Sequence, residues 1–213
     1  MATGLRERKK QQTRELLAET ARRLFTERGF ERVSVAEIAR AADVSEKTVF
    51  NYFPTKEDLV YWRLESFEDE LLETIRSREA GESVLDAFGR FVRQPRGMLG
   101  QYDRKAREQL AALTRMIVAS PSLIAREQQI FEGYTASLAA LIADETGAGP
   151  DDVEPWVAAN AMMGVHRRLI DYTRGRIVAG ARHPELAADV LDQAERGLAL
   201  LAEGLGAYAI REP

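Results

Sequence analysis

The chain has 213 residues, of which 45% are hydrophobic, 30% charged and 8% aromatic. This composition is that of a globular protein and excludes a disordered or collagen-like chain. The lack of cysteine excludes a disulfide framework, a thiolate metal site and a cysteine nucleophile. The first residues carry charges with no apolar segment after them, and no apolar run approaches the roughly 20 residues of a membrane-spanning helix. We therefore expect a cytoplasmic protein without a signal peptide and with no membrane partner.

Charge is distributed unevenly along the chain. Residues 1–53 hold 11 Lys and Arg against 8 Asp and Glu, whereas residues 54–213 hold 19 against 26. The formal net charge of −4 therefore conceals a basic N-terminal end. Such a distribution favours an anionic polymer at that end and repels it from the rest of the molecule.

Apolar residues recur at spacings of three and four along almost the whole chain. This pattern predicts an all-α protein of about nine helices. We expect a compact three-helix domain in residues 1–54, beginning with a helix from about Arg6 to Arg28, and a larger helical domain in residues 55–213. The longer helices are expected at about 56–79, 83–94, 103–119, 122–146, 152–178 and 185–208.

Capping residues mark two short helices in the first domain. Ser34 stands three residues before Glu37, which is the spacing of a capping box. Ser45 caps the next helix, which runs to Phe53. This layout is that of a helix-turn-helix, in which the first helix sets the second across the major groove of DNA.

The second of these helices carries side chains that suit base edges. Lys47 and Asn51 can hydrogen-bond to bases, and Thr48 offers a methyl group to thymine. Glu46 either accepts from a cytosine amino group or complements the helix dipole. Phe50 either packs inward or meets a thymine methyl group.

Other residues of this region suit the phosphate backbone. The helix starts at Ser34 and Thr55 are predicted to present unpaired backbone amides, and Lys56 adds a positive charge. The basic residues Arg6, Arg8, Lys9 and Lys10 near the start of the chain form either a DNA-binding arm or a solvated face.

The segment TRELLAETARRLFTERGFERVSVAEIARAADVSEKTVFNYFPTKEDL closely resembles the DNA-binding domain of TetR-family transcriptional regulators, over about residues 10–60. The resemblance implies an all-helical homodimer that binds a palindromic operator, acts mostly as a repressor and releases DNA when a small molecule enters the C-terminal domain. It also implies that Ser45–Asn51 form the recognition helix and that Tyr52 and Lys56 contact phosphates. For Tyr52, a hydroxyl at a domain joint is the alternative.

Three residues depart from the usual family pattern. Asp43 stands where a turn glycine is common, and Asp adopts the left-handed conformation at modest cost. Lys47 replaces a frequent glycine, and Phe50 replaces a frequent tyrosine. These changes affect base preference and one phosphate contact rather than the fold.

The second domain is rich in large apolar side chains that are predicted to form a ligand pocket between helices, with ordinary core packing as the alternative for each. Asn160 is included as a polar group that can orient a ligand. A small lipophilic effector is expected, and the resemblance is nearest to regulators of acyl-CoA-like molecules. The candidate ligand-binding residues are Trp62, Phe88, Phe91, Tyr102, Met116, Phe131, Tyr134, Trp156, Asn160 and Met163.

The last helix contains a heptad seam that predicts a helix–helix interface. Glycines beside the seam allow a close approach, so we expect a bundle with the last two helices of a second copy. Burial within the monomer is the alternative. The seam residues are Ala187, Leu191, Ala194, Leu198, Leu201 and Leu205.

Catalysis is not expected, because the sequence has no phosphate-binding glycine loop, nucleophile elbow or paired carboxylates with a base. His166 and His183 lie beside no acidic cluster, so neither a metal site nor a cofactor is predicted. A second reading of the sequence is a helical dimer that binds DNA non-specifically, or binds a ligand, without regulating a promoter.

Overall fold

The computed structural model describes residues 2–62, 64–94, 104–180, 185–205 and 210, and in these residues it contains ten α-helices and no strand. The predicted all-α class is therefore confirmed. The helices are α1 (Ala2–Arg28), α2 (Val35–Ala41), α3 (Glu46–Tyr52), α4 (Asp58–Tyr61), α5 (Leu64–Arg76), α6 (Val84–Arg93), α7 (Arg104–Ala119), α8 (Pro121–Thr146), α9 (Glu154–Val178) and α10 (Glu185–Leu205).

Two helix boundaries differ from the sequence prediction. The helix expected over residues 56–79 corresponds to α4 and α5, on either side of Arg63, which lies outside the described residues. Helix α1 begins at Ala2, so Arg8, Lys9 and Lys10 are exposed on this helix rather than in an arm before it. Helix ends fray, and the sequence carries no N-cap signal near Arg6 that fixes a start.

The turn between α2 and α3 contains a residue in the left-handed conformation. This residue is Asp43, with φ 56°, which stands where a turn glycine is common in the family. An L-residue pays a small steric cost there, and Asp is among the residues that pay least. The backbone of this turn is thus achieved without glycine.

The chain divides into two compact units. Unit 1 comprises Met1–Glu65 and Arg115–Glu127, and unit 2 comprises Ser66–Thr114 and Gln128–Pro213. The boundary predicted between residues 54 and 55 falls inside unit 1, which also takes in the end of α7 and the start of α8. Unit 1 encloses a core of apolar side chains from its helices and turns, among them Leu17, Phe25, Phe30, Ile38, Val49, Phe53 and Leu59.

In unit 2, α10 packs on both α6 and α9. A Cβ atom at Gly197 would lie 3.1 Å from Val165 on α9, and one at Gly89 on α6 would lie 3.4 Å from Leu198. Glycine at position 197 therefore lets α10 approach α9 closely, whereas the distance at Gly89 is that of an ordinary van der Waals contact. Gly197 is one of the glycines beside the α10 seam, where the sequence predicted contact with a second copy. In the structure it packs against α9 of its own chain.

This packing corrects the assignment of the α10 seam at two positions. Ala194 is 1% exposed and Leu198 is 5% exposed, so both are buried in unit 2 of the same chain. For them, burial within the monomer is the correct alternative. Leu191 is exposed, and Ala187, Leu201 and Leu205 are half-buried.

A buried ion pair joins the end of α5 to the end of α8. The guanidinium of Arg78 lies 2.6 Å from the Glu145 carboxylate and donates to the carbonyls of Ile75 and Glu82. These partners satisfy a charge that is almost fully removed from solvent.

None of the described helices combines the length and the apolar character that crossing a membrane requires. In the described part of the chain, no three His, Asp or Glu side chains are grouped as ligands for a metal ion, and His183 lies outside it.

Candidate nucleic-acid interface

The orientation of α3 is fixed by side chains buried on one of its faces. Val49 and Phe53 are each 1% exposed and belong to the core of unit 1. A helix of seven residues has little stability of its own in water, so these contacts hold it in place. The rotation of α3 about its axis is therefore set by the core.

The opposite face of α3 is open to solvent. Glu46, Lys47, Phe50 and Asn51 are all exposed, and they lie one turn apart on the helix. The phenyl ring of Phe50 is 47% exposed, which decides between the two alternatives in favour of the outward orientation. One face thus presents a cation, an amide, a carboxylate and an aromatic ring.

Hydrogen bonds join Ser45 and Thr48 at the start of α3. The Ser45 hydroxyl accepts a hydrogen bond from the Thr48 amide at 3.1 Å and lies 2.8 Å from the Thr48 hydroxyl. Ser45 thus acts as the predicted N-cap. The Thr48 side chain is half-buried, and Tyr52 at the end of the helix is half-buried as well.

The predicted helix starts at Ser34 and Thr55 differ in the structure, because α4 begins only at Asp58 and because backbone amides at both places are already paired. At Ser34 a complete capping box joins the residue to Glu37 in both directions. At Thr55 the amide donates to the Asp58 carboxylate at 2.8 Å, and the Thr55 hydroxyl accepts from the Asp58 amide at 3.3 Å. Reciprocal caps of this kind occupy amides that the sequence assigned to phosphates, and each places a carboxylate beside them.

Lys56 has a structural role that the sequence did not predict. Its ammonium donates to the carbonyls of Phe30 at 3.0 Å and Val33 at 3.2 Å, and it lies 4.0 Å from the centre of the Phe30 ring. Two of its three N–H donors are therefore used inside unit 1. The side chain ties the turn after α1 to the turn before α4, between which α2 and α3 lie in sequence.

Glu37 carries the strongest electrostatic perturbation of this region. The pKa of its carboxyl is lowered from 4.5 to about 2, first by the hydrogen bond from the Ser34 backbone and then by the Arg28 guanidinium and the Ser34 hydroxyl. Arg28 lies 2.7 Å from the carboxylate. The charged form of Glu37 thus joins α1 to the start of α2.

The segment Arg115–Glu127 contributes three polar contacts to unit 1. Ser120 donates to the Glu31 carboxylate at 2.6 Å, and Tyr61 donates to the Leu123 carbonyl at 2.9 Å. Arg126 donates to Asp58 at 2.8 Å. Sequence reasoning missed this segment, because nothing local to it indicates contacts with residues some 60 to 90 positions earlier.

Five aromatic rings form a cluster in unit 2. The Phe67 ring stacks on His166 at 4.5 Å and on Tyr134 at 5.5 Å, and meets the edge of Phe91 at 5.1 Å. Phe131 meets both Tyr134 and His166 edge to face at 5.8 Å. Phe67 was absent from the predicted set, although its spacing with the buried Leu71 and Ile75 on α5 indicates an inward face.

The predicted ligand-binding residues are only partly brought together. Phe91, Phe131 and Tyr134 belong to the ring cluster, and Phe88 and Met163 are also buried in unit 2. Trp62 and Met116 belong to unit 1. Tyr102 lies outside the described residues.

Two residues of α9 do not have the predicted orientation. Trp156 is 60% exposed in the first turn of the helix. The Asn160 amide donates to the Trp156 carbonyl at 3.0 Å, so it is satisfied by its own helix. Neither side chain belongs to the five-ring cluster described above.

Two family models match separate parts of the chain. Residues 17–61 match the model of bacterial regulatory proteins of the tetR family, and residues 84–206 match the model of the MftR C-terminal domain. The chain is 30% identical over 151 residues to the HTH-type transcriptional regulator TcmR of Streptomyces glaucescens, covering 70% of this chain and 67% of TcmR.

A further relative and one solved structure extend the comparison. The putative mycofactocin biosynthesis transcriptional regulator MftR of Mycobacterium tuberculosis is 27% identical over 166 residues, covering 74% of this chain and 78% of MftR. The structure of SmeT in complex with triclosan has a TM-score of 0.53 at 16% identity and covers 90% of each chain, which supports the fold. The family matches include α3 and the segments that hold it.

Replacing Lys56 by Met should lower the free energy of unfolding by about 2 kcal/mol, because two charge-assisted hydrogen bonds to the turn after α1 are lost. Urea denaturation of the whole chain, followed by circular dichroism, measures this change. Lys47→Met is the matched control and should change stability by less than about 0.5 kcal/mol, since Lys47 is exposed. Equal stability of the two variants would contradict the structural role of Lys56.

Glu37 should make stability depend on pH in the acid range. Its folded-state pKa is below the ordinary 4.5, so its contribution is complete above pH 4.5 and is lost as the pH falls towards about 2. Glu37→Gln keeps a capping side chain but does not titrate. The difference in urea midpoint between wild type and Glu37→Gln should therefore shrink from pH 6 to pH 2, and a constant difference would contradict the shifted pKa.

Proposed function

This chain belongs to the TetR family of bacterial transcriptional regulators, and we propose that it acts as a repressor that binds a palindromic operator as a homodimer. A small lipophilic or acyl-CoA-like molecule releases it from DNA. The observation that carries this proposal is the polar and aromatic face of α3, which the core of unit 1 holds outward.

The exposed face of α3 suits the major groove. Lys47 donates to the acceptor edge of guanine, and Asn51 makes two hydrogen bonds with adenine. Glu46, one residue before Lys47, accepts from a cytosine amino group or orients the Lys47 ammonium. These contacts select the sequence, whereas contacts to phosphates fix the position of the protein on the duplex.

Phosphate binding is expected from fewer groups than the sequence indicated. Tyr52 and the exposed cations of α1 remain candidates, and Lys56 keeps one N–H donor beyond its internal bonds. The carboxylates of Glu37 and Asp58 beside the two helix starts oppose an anion at those points. The structural role of Lys56 means that a variant there alters both folding and DNA binding.

A homodimer gives a short reading helix its specificity. Two copies related by a two-fold axis address half-sites about one helical turn apart, which doubles the base contacts. On unit 2 a stripe along α9 stays exposed in the single chain, and it includes Trp156, Val157, Gly164 and Val178. Leu191 and Leu200 of α10 are also exposed, the latter by 73%.

This exposed surface is a better candidate for the dimer interface than the middle of the α10 seam. Interfaces between obligate subunits are rich in aromatic and aliphatic side chains. Among the described residues, no atom outside the neighbouring turns lies within 4 Å of a Cβ added at Gly164 or Gly204, so glycine there leaves room for a second helix. A four-helix bundle from α9 and α10 of two copies accounts for both features.

The effector is proposed to enter unit 2 at the ring cluster around Phe67. Its rings are apolar except for the Tyr134 hydroxyl and the His166 nitrogens, so a largely hydrocarbon ligand fits it best. Arg167 and Arg168 are exposed on α9 and can meet the phosphates of an acyl-CoA. Release requires that the ligand bind the DNA-free conformation more tightly than the DNA-bound one.

Selection of binding sites from random duplex DNA tests the function directly. We expect an enriched palindrome, bound by two protomers as measured by sedimentation of the complex. Lys47→Ala or Asn51→Ala should weaken operator binding by roughly 10- to 100-fold and random DNA by far less, because each removes one base contact.

Two outcomes contradict this function. Equal weakening on operator and random DNA would show that Lys47 contacts phosphates only. Length-dependent binding without an enriched sequence, by a folded dimer, would favour the alternative of a non-specific DNA-binding or ligand-binding dimer without promoter regulation.

A chain-length series of acyl-CoAs tests the effector class. We expect release of the operator, with affinity rising about fourfold for each CH₂ group that the ring cluster buries. Gel shifts and thermal unfolding measure release and binding, with free CoA as the control. No release and no thermal shift at saturating acyl-CoA, or the same effect from free CoA, would reject this ligand.

A further inference from the structure

Phe50 is exposed although its apolar neighbours Val49, on α3, and Phe53, directly after α3, are buried. Val49, one residue earlier, and Phe53, one turn later, each lie 1% exposed in the core of unit 1, whereas the Phe50 ring is 47% exposed. Turning Phe50 inward would require α3 to rotate and expose these two residues. The ring is therefore held on the same face as Lys47 and Asn51.

The chemistry of a phenyl ring limits what it can recognise on DNA. It has no hydrogen-bond donor or acceptor, so placing it against a phosphate would remove water from an anion without replacing the lost hydrogen bonds. Among the groups exposed in the major groove, the apolar one is the methyl group on C5 of thymine. A 5-methylcytosine offers the same methyl group in the same groove.

We propose that Phe50 is a specificity-determining residue that packs on the C5 methyl group of a thymine in each half-site of the operator. Its neighbours on the helix are Lys47 one turn earlier and Asn51 one residue later, so the thymine lies beside the bases that these two residues read. The proposal rests on the proposed function, since it needs a sequence-specific operator.

The proposed contact between Phe50 and a thymine methyl group differs in kind from the hydrogen bonds that Lys47 and Asn51 make with bases. Lys47 and Asn51 discriminate by hydrogen bonds, whereas Phe50 discriminates by the presence of one methyl group. Removing that group leaves Watson–Crick pairing and every hydrogen-bonding atom of the base unchanged. The two kinds of readout are thus experimentally separable.

Replacing each thymine of the selected operator by deoxyuridine, one position at a time, tests the proposal. For the wild-type protein we expect one position in each half-site where the loss of the methyl group weakens binding about fourfold. Phe50→Ala should bind the operator more weakly and should show no further loss at that position. Phe50→Leu, which keeps an apolar side chain, should retain part of the sensitivity.

A second arm identifies the methyl group as the recognised feature. At the sensitive position, an operator with 5-methylcytosine should bind wild type about fourfold more tightly than one with cytosine. Phe50→Ala should bind these two operators equally. The thermal stability of both Phe50 variants is measured in parallel, and it should match that of wild type because the ring is exposed.

The outcomes separate this inference from the function on which it rests. An operator that is bound specifically but has no methyl-sensitive thymine overturns the role of Phe50 and leaves the regulator intact. Methyl sensitivity of equal size in wild type and Phe50→Ala also overturns it, because another residue then makes the contact. Failure to enrich any operator overturns both the proposed function and this inference.

Discussion

The ammonium group of Lys56 connects the two turns between which the helix-turn-helix lies in sequence. It donates to two carbonyls of the turn after α1 and lies over the ring of Phe30 in that same turn. A positive charge bonded to backbone carbonyls next to an aromatic face gains electrostatic energy from both. The position of α2 and α3 depends on this contact because neither helix is long enough to be stable alone.

The remaining polar contacts of unit 1 act in the same direction. Glu37 accepts hydrogen bonds both from Ser34 in the capping box and from Arg28 of α1. Asp58 accepts hydrogen bonds from the Thr55 amide and from Arg126. The carboxylates of Glu37 and Asp58 therefore join segments of the chain. The core of unit 1 then buries Val49 and Phe53, and the face of α3 that can read DNA is the one that this arrangement leaves outside.

In unit 2, the heptad seam of α10 contributes to packing within one chain, although its sequence pattern predicted an interface between two copies. The middle of this seam is buried on α6 and α9 of the same chain. Gly197 allows α10 to approach α9 closely. The side chains left uncovered include Trp156 and Leu200, which belong to no heptad seam, and they are the surface that the proposed dimer covers.

The sequence by itself determined the features that depend on neighbours along the chain. Helical spacing predicted the all-α class, the Ser34 and Ser45 caps gave the starts of α2 and α3, and Asp43 marked the left-handed turn, because caps and turns are local hydrogen-bonding and steric effects. The resemblance over about residues 10–60 added the family, which the matches then established.

Tertiary structure alone decided which partner each polar or apolar group meets. The sequence could not show that Lys56 bonds to the turn after α1, that Arg115–Glu127 belongs to unit 1, or that Phe67 stacks on His166. Nor could it decide whether Phe50 or Ala194 faces solvent, since spacing gives the face of a helix but not what that face packs against. Such contacts join residues distant in sequence, and their geometry is set by how several helices fill one core together.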